Sequence, residues 1–260
     1  MIYLAGDTHG RMDIAKLSPA KWPEGQTLTR DDYLIILGDF GAIWGDGSGE
    51  LQLSNADREL LLWWESQPWT TLFVDGNHEN HDLIDTFEVS ERFGGAVQVV
   101  PGFPHVVHLM RGEAYDLPFQ EGVTARCFVM GGADSMDKQW RTEGVNWWAR
   151  ELPSQEEYER ATASLERIGW SVDYVLTHDV PYNAMAEALG QRWSTQWGDP
   201  PFNQLVGFLR LVDEKLDKQR LKMWYAGHYH VDRMVLDDQH CVLYHTIVKL
   251  GEGVDQRDRS

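Results

Sequence analysis

A set of side chains in this sequence carries metal-binding and proton-transfer chemistry, and it falls into short clusters: Asp7 with His9, Asp39, Asn77 with His78, His178, and His228 with His230. Carboxylates, neutral imidazoles and an amide oxygen together suit borderline divalent cations such as manganese, iron and zinc. Asp7 and His9 stand two apart, as do His228 and His230. In an extended chain residues i and i+2 point to the same side, so each pair is expected to aim two ligands at one place. Gly6, Gly10, Gly38, Gly76 and Gly227 adjoin these clusters, where they suit sharp turns and close backbone approach. One buried histidine is more often a core residue than a ligand, and it is the joint pattern that argues for a site.

The clusters need elements to hold them, and each follows a short apolar run. Met1 to Ala5 ends at Gly6-Asp7, Tyr33 to Leu37 at Gly38-Asp39, and Thr71 to Val74 at Asp75-Gly76-Asn77-His78. Arg126 to Met130 ends at Gly131-Gly132, Val172 to Leu176 at Thr177-His178-Asp179, and Met223 to Ala226 at Gly227-His228. These runs are too short for typical helices and rich in branched and aromatic residues, so they read as strands. Cys241 to Val248 reads as a further strand, preceded by Val231 to Leu236. Helices lie between. Ser54 and Asp57 form a capping box ahead of Leu60 to Trp64. Ser154 and Glu157 open another helix, which continues through Tyr158, Ala161, Leu165 and Ile168 and stops at Gly169. A third runs from about Asn203 to Asp217, with Leu205, Phe208, Leu209, Val212 and Leu216 on one face. The alternation predicts an α/β fold, and the strand-rich second half predicts a mixed arrangement with two sheets. Open α/β sheets bind ligands beyond the carboxyl ends of their strands, which is where the polar clusters stand.

The segments Gly6-Asp7-Thr8-His9-Gly10, Gly38-Asp39, Gly76-Asn77-His78-Glu79, Thr177-His178 and Gly227-His228-Tyr229-His230 resemble, in order, the five blocks of the calcineurin-like metallophosphoesterases. Any one block occurs by chance; five in order, each after an expected strand, form a specific signal. The resemblance spans nearly the whole chain and is with small bacterial and phage members. It implies two central mixed β-sheets flanked by α-helices, and a dinuclear site of manganese or iron, with zinc compatible. It implies that Asp7, His9 and His230 bind one cation, that Asn77, His178 and His228 bind the other, and that Asp39 bridges them. His78 would then be the catalytic proton donor to the leaving oxygen, while hydroxide generated at the paired cations attacks phosphorus. Glu79 or Asp179 is expected to orient a neighbouring histidine. Two departures stand out: Asp75 occupies the place before Gly76 where the protein phosphatases of this superfamily carry an arginine, and no arginine follows Asp39 in Phe40-Gly41-Ala42-Ile43-Trp44.

The expected activity is hydrolysis of phosphomonoesters or phosphodiesters of small substrates. A single-stranded nuclease of the same superfamily and a non-catalytic scaffold are the alternatives. A net charge of −18 argues against duplex nucleic acid as a partner, since such binding needs a basic surface that releases counterions. Expected substrate contacts are Arg11, Trp44, Lys138, Arg141, Tyr229 and Arg233, the two middle basic residues lying in a loop at 131–141. Gly45 to Gly49 reads as a loop near the site. His105, His108, His240 and His245 read as structural, and His81 stands out for lying just past His78. Cys127 and Cys241 sit in strand-like runs and read as reduced core thiols. The 12 tryptophans, with the pairs Trp63-Trp64 and Trp147-Trp148, read mainly as packing. No apolar run matches a signal peptide or a membrane span, so the expectation is a soluble, cytoplasmic protein with no membrane partner. Residues 1–253 are expected to form one domain, with a polar tail at 254–260.

Overall fold

Side chains of the first strand, β1 (Ile2–Ala5), alternate between two buried environments. Ile2 and Leu4 join one hydrophobic core, and Tyr3 and Ala5 join another on the opposite face. A strand apolar on both faces must be covered on both. In the computed structural model, which describes residues 1–190, 193, 195–196, 198–236 and 238–255, this produces stacked layers.

One mixed sheet contains β1, β2 (Tyr33–Leu37), β3 (Thr70–Val74), β4 (Val89–Arg92), β5 (Gly95–Val99), β6 (Val106–Leu109) and β13 (Ile247–Lys249), in the order β13-β1-β2-β3-β6-β5-β4. The other contains β7 (Ala114–Gln120), β8 (Val123–Met130), β9 (Tyr174–Thr177), β10 (Met223–Ala226), β11 (Arg233–Val235) and β12 (His240–Val242), in the order β11-β12-β10-β9-β8-β7. β1, β2, β3 and β6 run parallel, as do β8, β9, β10 and β12. The core between the sheets holds Leu4, Ile35, Leu37, Leu72 and Val74 from one and Tyr115, Val129, Leu176 and Tyr225 from the other. Cys127 and Cys241 are free thiols in this same core, and burial raises both, Cys241 to about 12.

Helices cover the outer faces. α1 (Asn55–Glu65) begins at the Ser54–Asp57 capping box and packs Leu61 and Trp64 beside Phe40 and Phe73. α2 (His81–Ile84) is a single turn capped by Asn80. α3 (Gln155–Arg167) begins at the Ser154–Glu157 box and is followed by Gly169 at φ 65°. α4 (Tyr182–Leu189) and α5 (Gln204–Lys215) complete the other side, α5 burying Leu205, Leu209 and Val212. Fully burying a side chain of this size contributes about 1.5–3 kcal/mol. Trp64 and Trp148 are buried, as packing residues should be. No helix among the described residues is long and apolar enough to cross a membrane.

The two-sheet α/β architecture is the expected one, with local corrections. The run Cys241 to Val248 is two strands: β12 pairs with β10 in one sheet and β13 with β1 in the other. Asp232 breaks the run by accepting hydrogen bonds from the backbone N–H groups of Tyr244, His245 and Thr246. The sequence hid this because Leu243-Tyr244-His245-Thr246 has strand-like composition. Strands β4 to β7 and helix α4 lie outside the elements expected from periodicity. Val254 is buried in the inter-sheet core, one residue past the expected domain boundary, and most of the expected tail, 256–260, lies outside the described residues.

Candidate metal centre

The loops after β1, β2 and β3 meet the loops after β9 and β10 at one end of the two sheets. They are stitched together by hydrogen bonds. The N–H groups of Thr8 and His9 donate to the Asp39 carbonyl at 3.0 and 2.8 Å. His228 N–H donates to Asp7 Oδ1 at 2.9 Å, and His78 N–H to Asp39 Oδ1 at 2.8 Å. The paired residues do not converge through extended backbone as the spacing suggested. His9 (φ 42°), Asp39 (φ 46°), His228 (φ 70°) and His230 (φ 52°) are all left-handed. Such conformations cost about 1–3 kcal/mol each and persist only where surroundings enforce them. Here the enforcement is the hydrogen bonding just described, and the tight turns swing the ligands inward. Close approach also explains two glycines. A Cβ at Gly76 would lie 2.1 Å from Asp39 Oδ1, and one at Gly38 would lie 2.0 Å from His178 Nδ1.

Asp39 stands at the middle. Its Oδ2 is 3.2 Å from His9 Nε2, and its Oδ1 is 3.3 Å from His178 Nε2. On the His9 side, Asp7 Oδ2 is 3.1 Å from His230 Nε2 and 3.9 Å from His9 Nε2. On the His178 side, Nε2 is 3.1 Å from Asn77 Oδ1, and the His228 ring lies 5.0 Å from that of His178. His178 Nδ1 meets the Leu37 carbonyl at 2.7 Å, an acceptor only, so Nδ1 carries hydrogen and Nε2 is the nitrogen a cation would bind on displacing its proton. Asp13 fixes His9 in the same sense through Nδ1 at 2.7 Å.

The electrostatics invite a cation. Asp7 Oδ2 is buried and makes no well-directed hydrogen bond, the state of a ligand oxygen aimed at a group that neutralises it. Burial opposes ionisation of Asp39, yet His178 and His9 hold its carboxyl well below the usual range. Burial likewise opposes the His178 imidazolium, but the charge of Asp39 raises it to about 10. The carboxylates thus recruit protons onto imidazoles where cations would replace them. Groups of potential ligand atoms within 4.8 Å of one another are Asp7-His9-His230, Asp7-Asp39-His178 and His9-Asp39-His78. Each group has the carboxylate and imidazole donors that suit a divalent cation, and Asp39 belongs to two of them.

His78 faces open space beside this centre. Its Nδ1 is 3.0 Å from Arg141 Nη1, which can only donate, and burial together with Arg141 lowers its pKa. His78, Arg141 and His230 line two cavities at once, one of about 290 Å³ and one of about 610 Å³. Tyr229 lines the smaller and donates its O–H to Asp179 Oδ1 at 2.6 Å. Trp44 lines the larger, with Nε1–H donating to the Gly41 carbonyl. The other expected contacts stand apart from both cavities. Arg11 is exposed and pairs with Glu59, Lys138 pairs with Asp134, and Arg233 donates to the Glu187 and Ala188 carbonyls. The Gly45–Gly49 loop is turned by Ser48 N–H donating to Asp46 Oδ1.

Neither Glu79 nor Asp179 hydrogen-bonds a histidine. Buried Glu79 instead accepts from Phe40 N–H at 2.6 Å and fixes the backbone after Asp39. Several supporting residues were not singled out by sequence. Lys16 is buried, donates to the carbonyls of Gly6, Asp7 and Tyr244, and is lowered by burial to about 8. Tyr244 stacks on His230 at 4.5 Å and reaches Asp13 with its hydroxyl. Ser135 Oγ accepts from Asn77 Nδ2 at 3.0 Å and donates to Glu151. Asp75, in the place of the missing arginine, is buried against Arg111 and His108. His81 packs against Asp75 and Arg111 and is lowered to about 3, first by burial and then by Arg111. Of Lys16, Asp13, Tyr244 and Ser135, only Asp13, four residues after His9, left a local trace in the sequence.

A family model described as calcineurin-like phosphoesterase matches residues 1–232. Among solved structures, a putative 5'-nucleotidase from Staphylococcus aureus in complex with alpha-ketoglutarate is similar at 14% identity and a TM-score of 0.47. The match covers 94% of this chain and 48% of that one, so the chain spans about half its length. No curated protein matches the sequence.

Proposed function

The chain belongs to the calcineurin-like phosphoesterase family, and on that premise we propose that it hydrolyses small phosphoesters at a dinuclear metal site, with manganese or iron as the expected ions. The observation that carries this reading is the placement of Asp39, whose two carboxylate oxygens face different ligand sets at 3.2 and 3.3 Å. Asp7, His9 and His230 would hold one cation, and Asn77, His178 and His228 the other. Two such cations supply Lewis acidity at the phosphoryl oxygens and a water ionised near neutral pH.

The protein's own groups do the rest. Lys16, Asp13, Glu79 and the Leu37 carbonyl hold the ligand loops and imidazoles in place before substrate arrives, which preorganises the site. Arg141 donates to His78 Nδ1, so the Nε2–H edge is the one available to substrate. A bound phosphate anion would draw the Arg141 guanidinium away from Nδ1, so that Nδ1 can take up hydrogen, and the resulting imidazolium can give its Nε2 proton to the leaving oxygen. The acidic composition and the single arginine among the described residues at the cavity walls support a small substrate over an extended nucleic-acid backbone. A cytoplasmic location is part of the same proposal.

The test is elemental analysis of protein purified without chelator, with a panel of p-nitrophenyl phosphoesters, a phosphopeptide and single-stranded DNA assayed before and after EDTA and Mn add-back. About two ions per chain and EDTA-sensitive turnover of the small esters are expected. Undiminished activity in metal-free protein would refute the reading, and a far larger kcat/KM for DNA would favour the nuclease.

A further inference from the structure

We propose that the substrate is a small phosphodiester monoanion with one flat aromatic ester group, and neither a monoester dianion nor a polyphosphate. The inference rests on the phosphoester-hydrolase reading of the site and names its substrate class.

Two cavities open on the same three side chains, His78, Arg141 and His230. A phosphoryl group lodged beside Asp39 and His78 therefore has room on two sides. A monoester has one organic arm and fills one side, whereas a diester fills both.

The larger cavity has the wall for a flat group. Trp44 is held by its bond to the Gly41 carbonyl at 3.1 Å and by its ring contact with Trp148 at 5.7 Å. Across the cavity Tyr244 is stacked at 4.5 Å on His230. Rings fixed in advance offer stacking area with little entropy to lose on binding. The smaller cavity is lined by Asp134, Asp137, Asp179, Met185 and Leu189 and suits an uncharged or cationic arm.

Charge separates diester from dianion. Arg141 is the only arginine or lysine among the described residues lining either cavity. Its Nε and Nη2 already donate to both oxygens of Asp137, at 2.7 and 2.8 Å. The walls add Asp13, Asp134 and Asp179, so among the described residues lining the cavities no lysine or arginine is left over for a second phosphate or a second negative charge. Repulsion inside a partly enclosed site is screened less than on open surface.

Water oxygen bonds to phosphorus, one P–O ester bond breaks, and the leaving oxygen takes its proton from His78, which a water proton then restores. A monoester and an alcohol or phenol result; the other water proton passes to solvent as the monoester ionises, and that added negative charge speeds its departure from the acidic walls.

The experiment measures kcat/KM of the Mn-loaded protein for bis(p-nitrophenyl) phosphate, p-nitrophenyl phosphate and a nucleoside triphosphate. The diester should exceed both by at least about tenfold, one such factor being about 1.4 kcal/mol of discrimination. Trp44→Ala should raise the diester KM by about tenfold, in the range of a lost stacking contact, and Trp44→Phe should recover most of it. Asp137→Asn, at a half-exposed position, leaves Arg141 uncompensated and should narrow the diester-to-monoester ratio. A wild-type preference for the monoester would overturn this proposal and leave the hydrolase reading intact. Metal-loaded protein inert to every ester would instead overturn both.

Discussion

Ser135 offers a test of how the fold sets the polarity of Asn77, a buried candidate ligand. Asn77 can present either its oxygen or its NH₂ to the centre, and only the oxygen can bind a cation. Glu151 decides which. Its carboxylate accepts hydrogen bonds from the Ser135 hydroxyl at 2.5 Å and the Ser135 N–H at 3.0 Å, so Ser135 Oγ is left as an acceptor. It accepts from Asn77 Nδ2 at 3.0 Å, which turns Asn77 Oδ1 toward His178. All three residues are buried. Ser135→Ala removes the acceptor, leaves a buried donor unsatisfied at about 1–3 kcal/mol, and frees the amide to flip. Loss of a supporting partner of this kind weakens metal affinity about 10–100-fold. Calorimetric titration of metal-free protein with Mn should then show two classes of site, one unchanged and one weakened by that factor. Glu151→Gln should act alike, because a glutamine NH₂ can donate to Ser135 and reverse the relay, while Ser135→Thr keeps the hydroxyl and should restore wild-type binding. The reasoning is refuted if Ser135→Ala binds both ions as tightly as wild type, or if Ser135→Thr binds as poorly as Ser135→Ala.

His78→Ala should lower turnover by about 10²–10⁴-fold with metal content preserved, whereas Asp39→Asn should lower metal content itself; equal metal loss in the two variants, read by elemental analysis, would count against the roles assigned. Arg111→Met should destabilise the fold by about 3–5 kcal/mol in a urea titration, because it strands the buried Asp75 carboxylate, and a loss below 1 kcal/mol would show that Asp75 does not need its partner. Burial lowers His240 to about 4 against an ordinary 6.5. The folded state therefore binds that proton less readily than the unfolded chain. Its contribution is fully present above pH 6.5 and is lost as pH falls from 6.5 to 4, a change of about 3 kcal/mol. His81, lowered to about 3, steepens the same slope. Thermal unfolding across this window should show a shallower dependence in His240→Gln, and an unchanged slope would exclude the histidine as its source.

The strands bearing the site and the residue types at their ends were legible in the sequence because both are local. A short run of branched and aromatic residues reads as a strand from its length and composition, and a polar cluster after such a run marks a strand end whatever the rest of the chain does. Capping boxes at Ser54 and Ser154 were legible for the same reason, since a cap and its third residue meet without help from elsewhere. What the tertiary structure alone decided is how the ligands are aimed and what holds them. The left-handed turns at His9, Asp39, His228 and His230 depend on bonds between loops of different strands. Arg141 meets His78 across 63 positions and Ser135 meets Asn77 across 58. The break at Asp232 that carries Tyr244 to His230 turns a run of strand-like residues into a crossing between sheets. Such contacts leave no spacing to read, because the chain closes those loops only when packing of the two sheets compensates the lost entropy, and that compensation is a property of the whole fold.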